Sequence, residues 1–211
     1  MSADATNERI NRRVAVLERL LEDKGVLRPG ELDPVIEHFI ARAQPLNGAR
    51  LVARAWLDDD VRRALLEDAG AVAASMGMPV GPAGHGELDL RVVENTDEVH
   101  NVIVCTLCSC YPLRLLGTPP SWYKTAAYRS RVVRDPRGVL AEFGTQVPDD
   151  RRITVWDSTA HVRYMVLPRR PDGTEGMSED ELAALVGRDA LIGVAEVTAR
   201  RVAAAVAADD S

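Results

Sequence analysis

Every cysteine of this 211-residue chain lies in one short stretch, Cys105-Thr106-Leu107-Cys108-Ser109-Cys110, called the cysteine loop below. The spacing C-x-x-C-x-C leaves no cysteine elsewhere with which a distant disulfide could form. Clustered thiolates are soft ligands, so the pattern indicates a metal site and not a disulfide framework. The apolar run 102–104 directly before it predicts a short buried strand that leads into the loop.

The composition is that of a globular protein, with 46% hydrophobic and 27% charged residues. A net charge of −6 argues against nucleic acid as a partner, because phosphate binding requires a basic surface. No run approaches the ~18 apolar residues that a membrane-spanning helix needs, so we expect no membrane association. The first residues lack the basic start and apolar core of a signal peptide, and we therefore expect a cytoplasmic protein.

Residues 1–76 predict a series of amphipathic helices. In the first, apolar residues recur at helical spacing from about Thr6, and Gly25 provides a stop signal. The later helical segments are predicted to begin at Asp33, Gly48 and Asp58. Apolar stripes need a partner surface, so we interpret residues 1–76 as a helical N-terminal arm that binds a partner. Packing within the same domain is the alternative.

Residues 77–86 contain four Gly and two Pro, which predicts a loop and a domain boundary. The following part, 77–211, is expected to be an α/β domain built in layers, and it carries the cysteine loop. Its predicted strands are 88–93, 102–104, 153–156 and 162–167, the last two separated by a turn at Asp157-Ser158. Its predicted helices begin near Pro119, Asp135, Ser178 and Asp189.

Two kinds of metal site are compatible with the cysteine loop. A zinc site usually has four side-chain ligands, and His100 is the only histidine near the three cysteines in the sequence. In the alternative, deprotonated amide nitrogens of Ser109 and Cys110 complete a plane with the sulfurs of Cys108 and Cys110. Cys105 then binds axially, and the sixth position is open to water or substrate. Such strong-field donors suit low-spin Co(III) or Fe(III).

The segment 104–111, V-C-T-L-C-S-C-Y, resembles the metal motif of nitrile hydratase alpha subunits. The resemblance covers most of the chain and continues in the segments 93–96, 99–101, 119–124, 128–131, 136–140 and 155–158. It implies a lyase that hydrates a nitrile to the amide at a non-corrin, low-spin Co(III) or Fe(III) centre. Thr106 and Tyr111 match the cobalt-type version, where iron-type members carry Ser and Thr, so Fe(III) is the less favoured metal.

The resemblance also implies modified ligands and protein partners. Cys108 is expected as the sulfinate and Cys110 as the sulfenate, with Cys105 left as thiolate, since metal-bound thiolates oxidise readily. The sulfenate oxygen is expected to act as nucleophile or base, and the metal as a Lewis acid. A beta subunit is implied to hold the oxidised cysteines with its arginines, which gives the helical arm a partner. A cobalt-inserting activator protein is a further implied partner.

Four other residues receive candidate roles at the site. Arg163 matches a family arginine that supports the metal centre, although an exposed strand arginine is the simpler interpretation. Asp157 matches a family acid near the metal, and an Asx-turn explains it equally well. Ser109 is expected to contribute mainly its backbone nitrogen, with its hydroxyl as a donor to substrate. Tyr111 is either pocket wall or core.

The chain departs from the family at positions that bear on the substrate. Relatives often have Trp-Pro where this chain has Leu113 and Arg114, so a pocket aromatic is absent. A family glutamate is His161 here, and a family glutamine corresponds to His85, with the alignment shifted by about one residue. The smaller Leu113 and the cation of Arg114 predict a larger, polar nitrile, as in toyocamycin-type members.

The sequence is therefore compatible with three functions. The first is the catalytic alpha subunit of a cobalt nitrile hydratase, acting on a small-molecule nitrile. The second is the metal-binding subunit of thiocyanate hydrolase, which shares the motif and forms carbonyl sulfide and ammonia. The third belongs to another class, a non-catalytic zinc-binding module that mediates assembly.

Overall fold

The computed structural model of the protein describes residues 3–42, 44–78, 88–108 and 110–198. The chain divides into two compact units, Met1–Arg42 and Ala43–Ser211. The predicted combination of helices with β-strands and a cysteine-bearing loop is confirmed. None of the described helices is both long enough and apolar enough to cross a membrane.

The first unit contains helices α1 (Ala3–Asp23) and α2 (Leu32–Arg42). Gly25 ends the first helix as predicted: its φ of +69° is a conformation that side chains with a Cβ rarely adopt. The predicted apolar stripe of α1 includes four side chains that are 49–58% exposed, Ile10, Val14, Leu17 and Leu20. Its role in binding a partner stays a prediction.

The second unit contains the strands and the remaining helices. The helices are α3 (Pro45–Leu57), α4 (Asp59–Glu67), α5 (Ala69–Ser75), α6 (Leu113–Leu116), α7 (Ala126–Arg134), α8 (Pro136–Glu142), α9 (Glu179–Leu185) and α10 (Arg188–Ile192), with a 3₁₀-helix at Ser121–Lys124. Several begin at predicted caps. The Asp58 carboxylate accepts from the amides of Asp60 and Val61, and Ser178 with Glu181 forms a capping box. Asp68 caps α5 and so divides a helix that the sequence predicted as one.

Four strands form two parallel pairs. They are β1 (Asp89–Glu94), β2 (Val99–Val104), β3 (Arg152–Asp157) and β4 (Val162–Leu167). Strand β1 pairs with β4, and β2 pairs with β3 in a register that sets Val104 opposite Asp157. Strands β3 and β4 follow each other across a short turn. Instead of pairing with each other, each pairs with a strand from earlier in the chain. Parallel pairing of this kind needs long connections, and here they contain α6 to α8.

The core of the second unit also explains where the chain divides. Helix α3 contributes side chains without exposed surface, among them Leu51 and Val52, and α4 contributes Leu65. The division into compact units falls at residue 42, and the domain boundary predicted at residues 76 and 77 stays a prediction. The apolar stripes of α3 and α4 are satisfied inside this unit, which was the alternative interpretation for that part of the arm.

Candidate metal centre

The cysteine loop begins where strand β2 ends. Cys105 follows Val104 directly and is fully buried, whereas Cys108 is exposed and Cys110 is partly buried. The strand register brings the end of β3 beside the start of the loop. The amide of Ser158 donates to the carbonyl oxygen of Val104 at 2.7 Å, which continues the β2–β3 contact to the residue before Cys105.

Asp157 holds the loop at Thr106. One carboxylate oxygen accepts from the Thr106 amide at 2.9 Å, and the other accepts from its hydroxyl at 2.5 Å. Hydrogen bonds to an ionised acceptor are stronger than neutral ones, so this two-point contact restrains the loop at the residue after Cys105. The structure thus places Asp157 against the loop, with its carboxylate engaged by Thr106.

The three sulfur atoms lie within 4.8 Å of one another. The Sγ of Cys108 is 3.3 Å from the Sγ of Cys105 and 2.9 Å from that of Cys110, and none of the three cysteines is in a disulfide bond. The amide of Cys108 also donates to the Cys105 sulfur at 3.3 Å. Three convergent soft donors fit a thiophilic metal ion, which bridges ligands that otherwise crowd one another.

The electrostatics of Cys110 also fit a cation. Burial raises the pKa of its thiol to about 12, and the hydrogen bond with Cys108 acts in the same direction. The positive charge of Arg163 lowers this pKa, but only in part. Since metals bind the thiolate, a metal ion held by the three cysteines would supply the positive charge that favours loss of the Cys110 proton.

Arg163 is the second residue of β4 and lies near the cysteine loop. Its guanidinium donates to the carbonyl oxygens of Thr159, which lies in the turn after β3, and Val162, the first residue of β4. The side chain is partly buried, and its role at the metal centre stays a prediction. It is the arginine whose charge reaches Cys110.

The other predicted site residues fall into separate places. Tyr111 is buried, packs edge-on against Tyr123 with ring centroids 5.0 Å apart, and directs its hydroxyl to the carbonyl oxygen of Leu116 at 3.5 Å. Leu113 and Arg114 form the start of α6, both partly exposed. The predicted roles of Ser109 and His85 fall on residues outside the described part of the chain.

His100 does not join the cysteines. It is fully buried in β2, and its Nε2 lies 2.8 Å from the carbonyl oxygen of Gly193. Its Nδ1 faces Glu196 at 3.9 Å. Within residues 8–37, 44–78, 88–108 and 110–198, the group that could hold a metal ion consists of the three cysteines alone. The zinc site with His100 as fourth ligand is thus not the arrangement seen here.

Three side chains that the sequence did not assign to the site support the cysteine loop. Tyr123 donates from its hydroxyl to the carbonyl oxygen of Cys110 at 3.2 Å. Tyr128 donates to the carbonyl oxygen of Ile103 at 2.7 Å, and Arg129 donates to that of Cys108 at 3.1 Å. A tyrosine pair and an arginine on a helix surface are common, so the sequence held no signal for these long-range contacts.

Comparisons with known proteins agree with this site. The model of the family described as "Nitrile hydratase, alpha chain" matches residues 8–195. The alpha subunit of the low-molecular-weight cobalt-containing nitrile hydratase from Rhodococcus rhodochrous is 49% identical over 193 residues, covering 92% of this chain and 91% of that protein. The gamma subunit of thiocyanate hydrolase from Thiobacillus thioparus is 43% identical over 189 residues, covering 86% and 77%.

A solved structure gives the same result for the fold. A variant of the Fe-type nitrile hydratase from Comamonas testosteroni Ni1 superposes with a TM-score of 0.84 at 41% identity, covering 92% of this chain and 93% of that one. Both the sequence matches and the structural match extend over both described units. On these grounds the chain belongs to the nitrile hydratase alpha-chain family.

Proposed function

We propose that this chain is the metal-binding alpha subunit of a cobalt nitrile hydratase, which adds water to a nitrile and releases the amide. The observation that carries the proposal is the convergence of three cysteine sulfurs within 4.8 Å in a loop that is hydrogen-bonded to Asp157. Thr106 and Tyr111 favour the cobalt-type version of the site, and the cobalt-containing relative at 49% identity supports that choice.

In this proposal the ligands are the sulfurs of Cys105, Cys108 and Cys110 together with the amide nitrogens of Ser109 and Cys110. When bound, Co(III) supplies Lewis-acid polarisation of the nitrile or of a water molecule. Cys108 is present as sulfinate and Cys110 as sulfenate. The sulfenate oxygen of Cys110 acts as nucleophile or takes a proton from the attacking water, and Arg163 provides positive charge beside it.

The overall reaction adds one water across the carbon–nitrogen triple bond. The water oxygen bonds to the nitrile carbon, and both hydrogens finally reside on the nitrogen, which gives R-CONH₂ with no oxidant consumed. Asp157 contributes by fixing the loop through Thr106 and has no assigned proton transfer, because both carboxylate oxygens already accept hydrogen bonds.

We further propose the surroundings in which this subunit works. A beta subunit covers the cysteine loop and the helical arm, an activator protein delivers the cobalt, and the complex is cytoplasmic. Within the predicted arm of residues 1–76, the apolar stripe of α1 serves as the partner-binding surface, and residues 77–211 form the catalytic domain. The half-exposed apolar residues of α1, such as Val14 and Leu17, support the first of these assignments.

The proposed substrate is a large, polar nitrile such as a heteroaromatic one. Leu113 and Arg114 follow the cysteine loop at the start of α6, and they stand where relatives often carry Trp and Pro. The exchange removes an aromatic ring and adds a cation, which favours ring nitrogens and other acceptors on the substrate. His85 and Tyr111 complete the set of residues proposed for this pocket.

Elemental analysis of the purified full chain with its partner tests the metal centre. We expect about one cobalt per chain and a mass gain of three oxygen atoms on the peptide that contains Cys108 and Cys110. Amide formation from 3-cyanopyridine, followed by chromatography, tests the reaction. One zinc per chain with unmodified cysteine masses would instead establish the zinc-binding assembly module.

Thiocyanate hydrolase is the second candidate function, favoured by the 43% identity to its gamma subunit. It differs from nitrile hydratase in product, because thiocyanate yields carbonyl sulfide and ammonia. Both substrates are therefore offered to the same cobalt-loaded preparation. Carbonyl sulfide from thiocyanate, without amide from any nitrile tested, would replace the first proposal by this one.

A further inference from the structure

Arg129 reaches from helix α7 to the backbone of the cysteine loop. Its Nη1 donates to the carbonyl oxygen of Cys108 at 3.1 Å and to that of Thr106 at 3.4 Å. One guanidinium nitrogen therefore ties together two carbonyl oxygens that lie two residues apart in the loop. Asp157, the other anchor of the loop, instead accepts from the amide and the hydroxyl of Thr106.

The first turn of α7 fixes the position of Arg129. The Thr125 hydroxyl caps the helix by accepting from the amide of Tyr128 at 3.2 Å. The Tyr128 ring is buried, and its hydroxyl donates to Ile103, two residues before Cys105. The helix start is thereby bound to the end of β2, and Arg129 follows Tyr128 at a fixed distance from the loop.

Arg129 differs from the neighbouring Arg131 in its pairing with acids. Within the described ranges, no carboxylate forms an ion pair with it, and its buried Nε has no hydrogen-bond partner. By contrast, Arg131 on the same helix forms a two-point ion pair with Glu142 at 2.6 and 2.9 Å. Keeping a partly buried cation without an anion is costly, so the site has spare positive charge facing the loop carbonyls.

The chemistry of the peptide bond links that charge to the proposed ligand set. The carbonyl of Cys108 is conjugated with the nitrogen of residue 109, which the proposed function uses as an anionic metal ligand. Peptide resonance places part of such a negative charge on the carbonyl oxygen. A guanidinium hydrogen-bonded to that oxygen then becomes one half of a charge-assisted pair.

We propose that Arg129 is a positioning residue of the metal centre: it holds the carbonyl groups of Thr106 and Cys108 and compensates the negative charge that the loop acquires with its metal. The inference rests on the proposed function, because only an anionic backbone ligand creates that charge. Its readout is the retention of cobalt, which is distinct from turnover.

The test compares three variants of the full chain, each loaded with cobalt and then exposed to excess dipicolinate. Arg129→Gln removes the charge and shortens the side chain, Arg129→Lys keeps the charge, and Arg131→Gln removes a cation from the same helix away from the loop. We expect Arg129→Gln to release cobalt at least about tenfold faster than the parent. Arg129→Lys should recover part of this loss, and Arg131→Gln should match the parent.

Melting of the metal-free proteins separates this role from a general effect on folding. We expect metal-free Arg129→Gln and Arg131→Gln to melt within a few degrees of each other by circular dichroism. If Arg129→Gln, like Arg131→Gln, releases cobalt at the parent rate, the proposed charge compensation by Arg129 is wrong. It is also wrong if Arg129→Lys releases cobalt as fast as Arg129→Gln. If the parent itself takes up only zinc, the proposed function fails, and the inference fails with it.

Discussion

Asp157 is the residue through which the cysteine loop depends most directly on the fold. Its two carboxylate oxygens engage the amide and hydroxyl of Thr106, next to a fully buried Cys105. Neither bond can be made by a neutral amide with the same strength, because an ionised acceptor roughly doubles the strength of a hydrogen bond. Replacing Asp157 by Asn, which has nearly the same shape, therefore isolates the contribution of its negative charge.

We expect Asp157→Asn to lower the cobalt content and the turnover by about tenfold, since a hydrogen bond to a charged group contributes ~1.5–3 kcal/mol. Cobalt per chain by mass spectrometry and the rate of amide formation measure the two effects. Asp149→Asn is the matched control, because the Asp149 side chain is fully exposed and 3.9 Å from its nearest cation. Equal cobalt contents in both variants would contradict the anchoring role.

Leu113 bears on which nitriles are accepted. We expect Leu113→Trp to lower kcat/KM for 3-cyanopyridine by about tenfold or more, because the indole refills space that the leucine leaves open. The kcat/KM for acrylonitrile should change by less than about threefold. Leu113→Met, which conserves volume, serves as the control and should leave the ratio of the two substrates unchanged. A ratio that is unaffected by Trp would place the selectivity elsewhere.

At the scale of elements, strand β2 connects the metal centre with the C-terminal part of the second unit. His100 in this strand meets the carbonyl oxygen of Gly193, whose φ of +88° and close approach to the Asn101 carbonyl leave no room for a Cβ. Burial lowers the pKa of His100, while the contact with Gly193 and the charge of Glu196 oppose that shift. The positive charges of Arg151 and Arg137 add to the lowering.

The lowered pKa of His100 predicts how stability depends on pH. Protonation favours the unfolded chain, so this contribution is complete above the unfolded value of 6.5 and is lost as the pH falls from there through the lower folded pKa. We expect the melting temperature to drop between pH 7.5 and 5.5 by more in the parent than in His100→Gln. His161→Gln, which alters an exposed histidine, should retain the full drop. Identical slopes in all three proteins would exclude His100 as the source.

Single elements were predictable where local chemistry decides them. Helix starts at Asp58 and Ser178 and the end of α1 at Gly25 follow from caps and from a left-handed glycine. The pairing of β2 with β3 was not predictable, because it joins residues about fifty positions apart and local pattern contains no register. The same limit applies to Arg129: its helix surface position is visible in the sequence, but the loop that it contacts is not.

At the scale of the whole molecule, the division into two units shows what periodicity alone cannot decide. The stripes of α1 and of α3 look alike in sequence, yet α3 is buried in the second unit while apolar residues of α1 stay half exposed. An apolar stripe predicts that one face of a helix is covered, but it does not identify the covering surface. The three cysteines proposed as metal ligands, in contrast, stand out in the sequence because they lie within six residues.

The arm can be tested on the assembled protein. We expect Val14→Glu with Leu17→Glu to weaken association with the cognate beta subunit by at least about a hundredfold, since two apolar contacts are replaced by buried charges. Size-exclusion chromatography of the co-expressed subunits over a range of concentrations measures this. Arg12→Gln with Arg19→Gln changes the net charge equally on the opposite face and should leave the complex intact. Unchanged assembly in both double variants would remove the arm from the interface.

The anchoring of Thr106 by Asp157 also sets an order of events during synthesis. The two residues are 51 positions apart, so the three cysteines leave the ribosome about 3–10 s before the carboxylate that restrains their loop, at ~5–20 residues per second. In that interval the loop lacks its Asp157 anchor. Under the proposed function, cobalt that arrives then meets three cysteines in a loop that the end of β3 does not yet restrain.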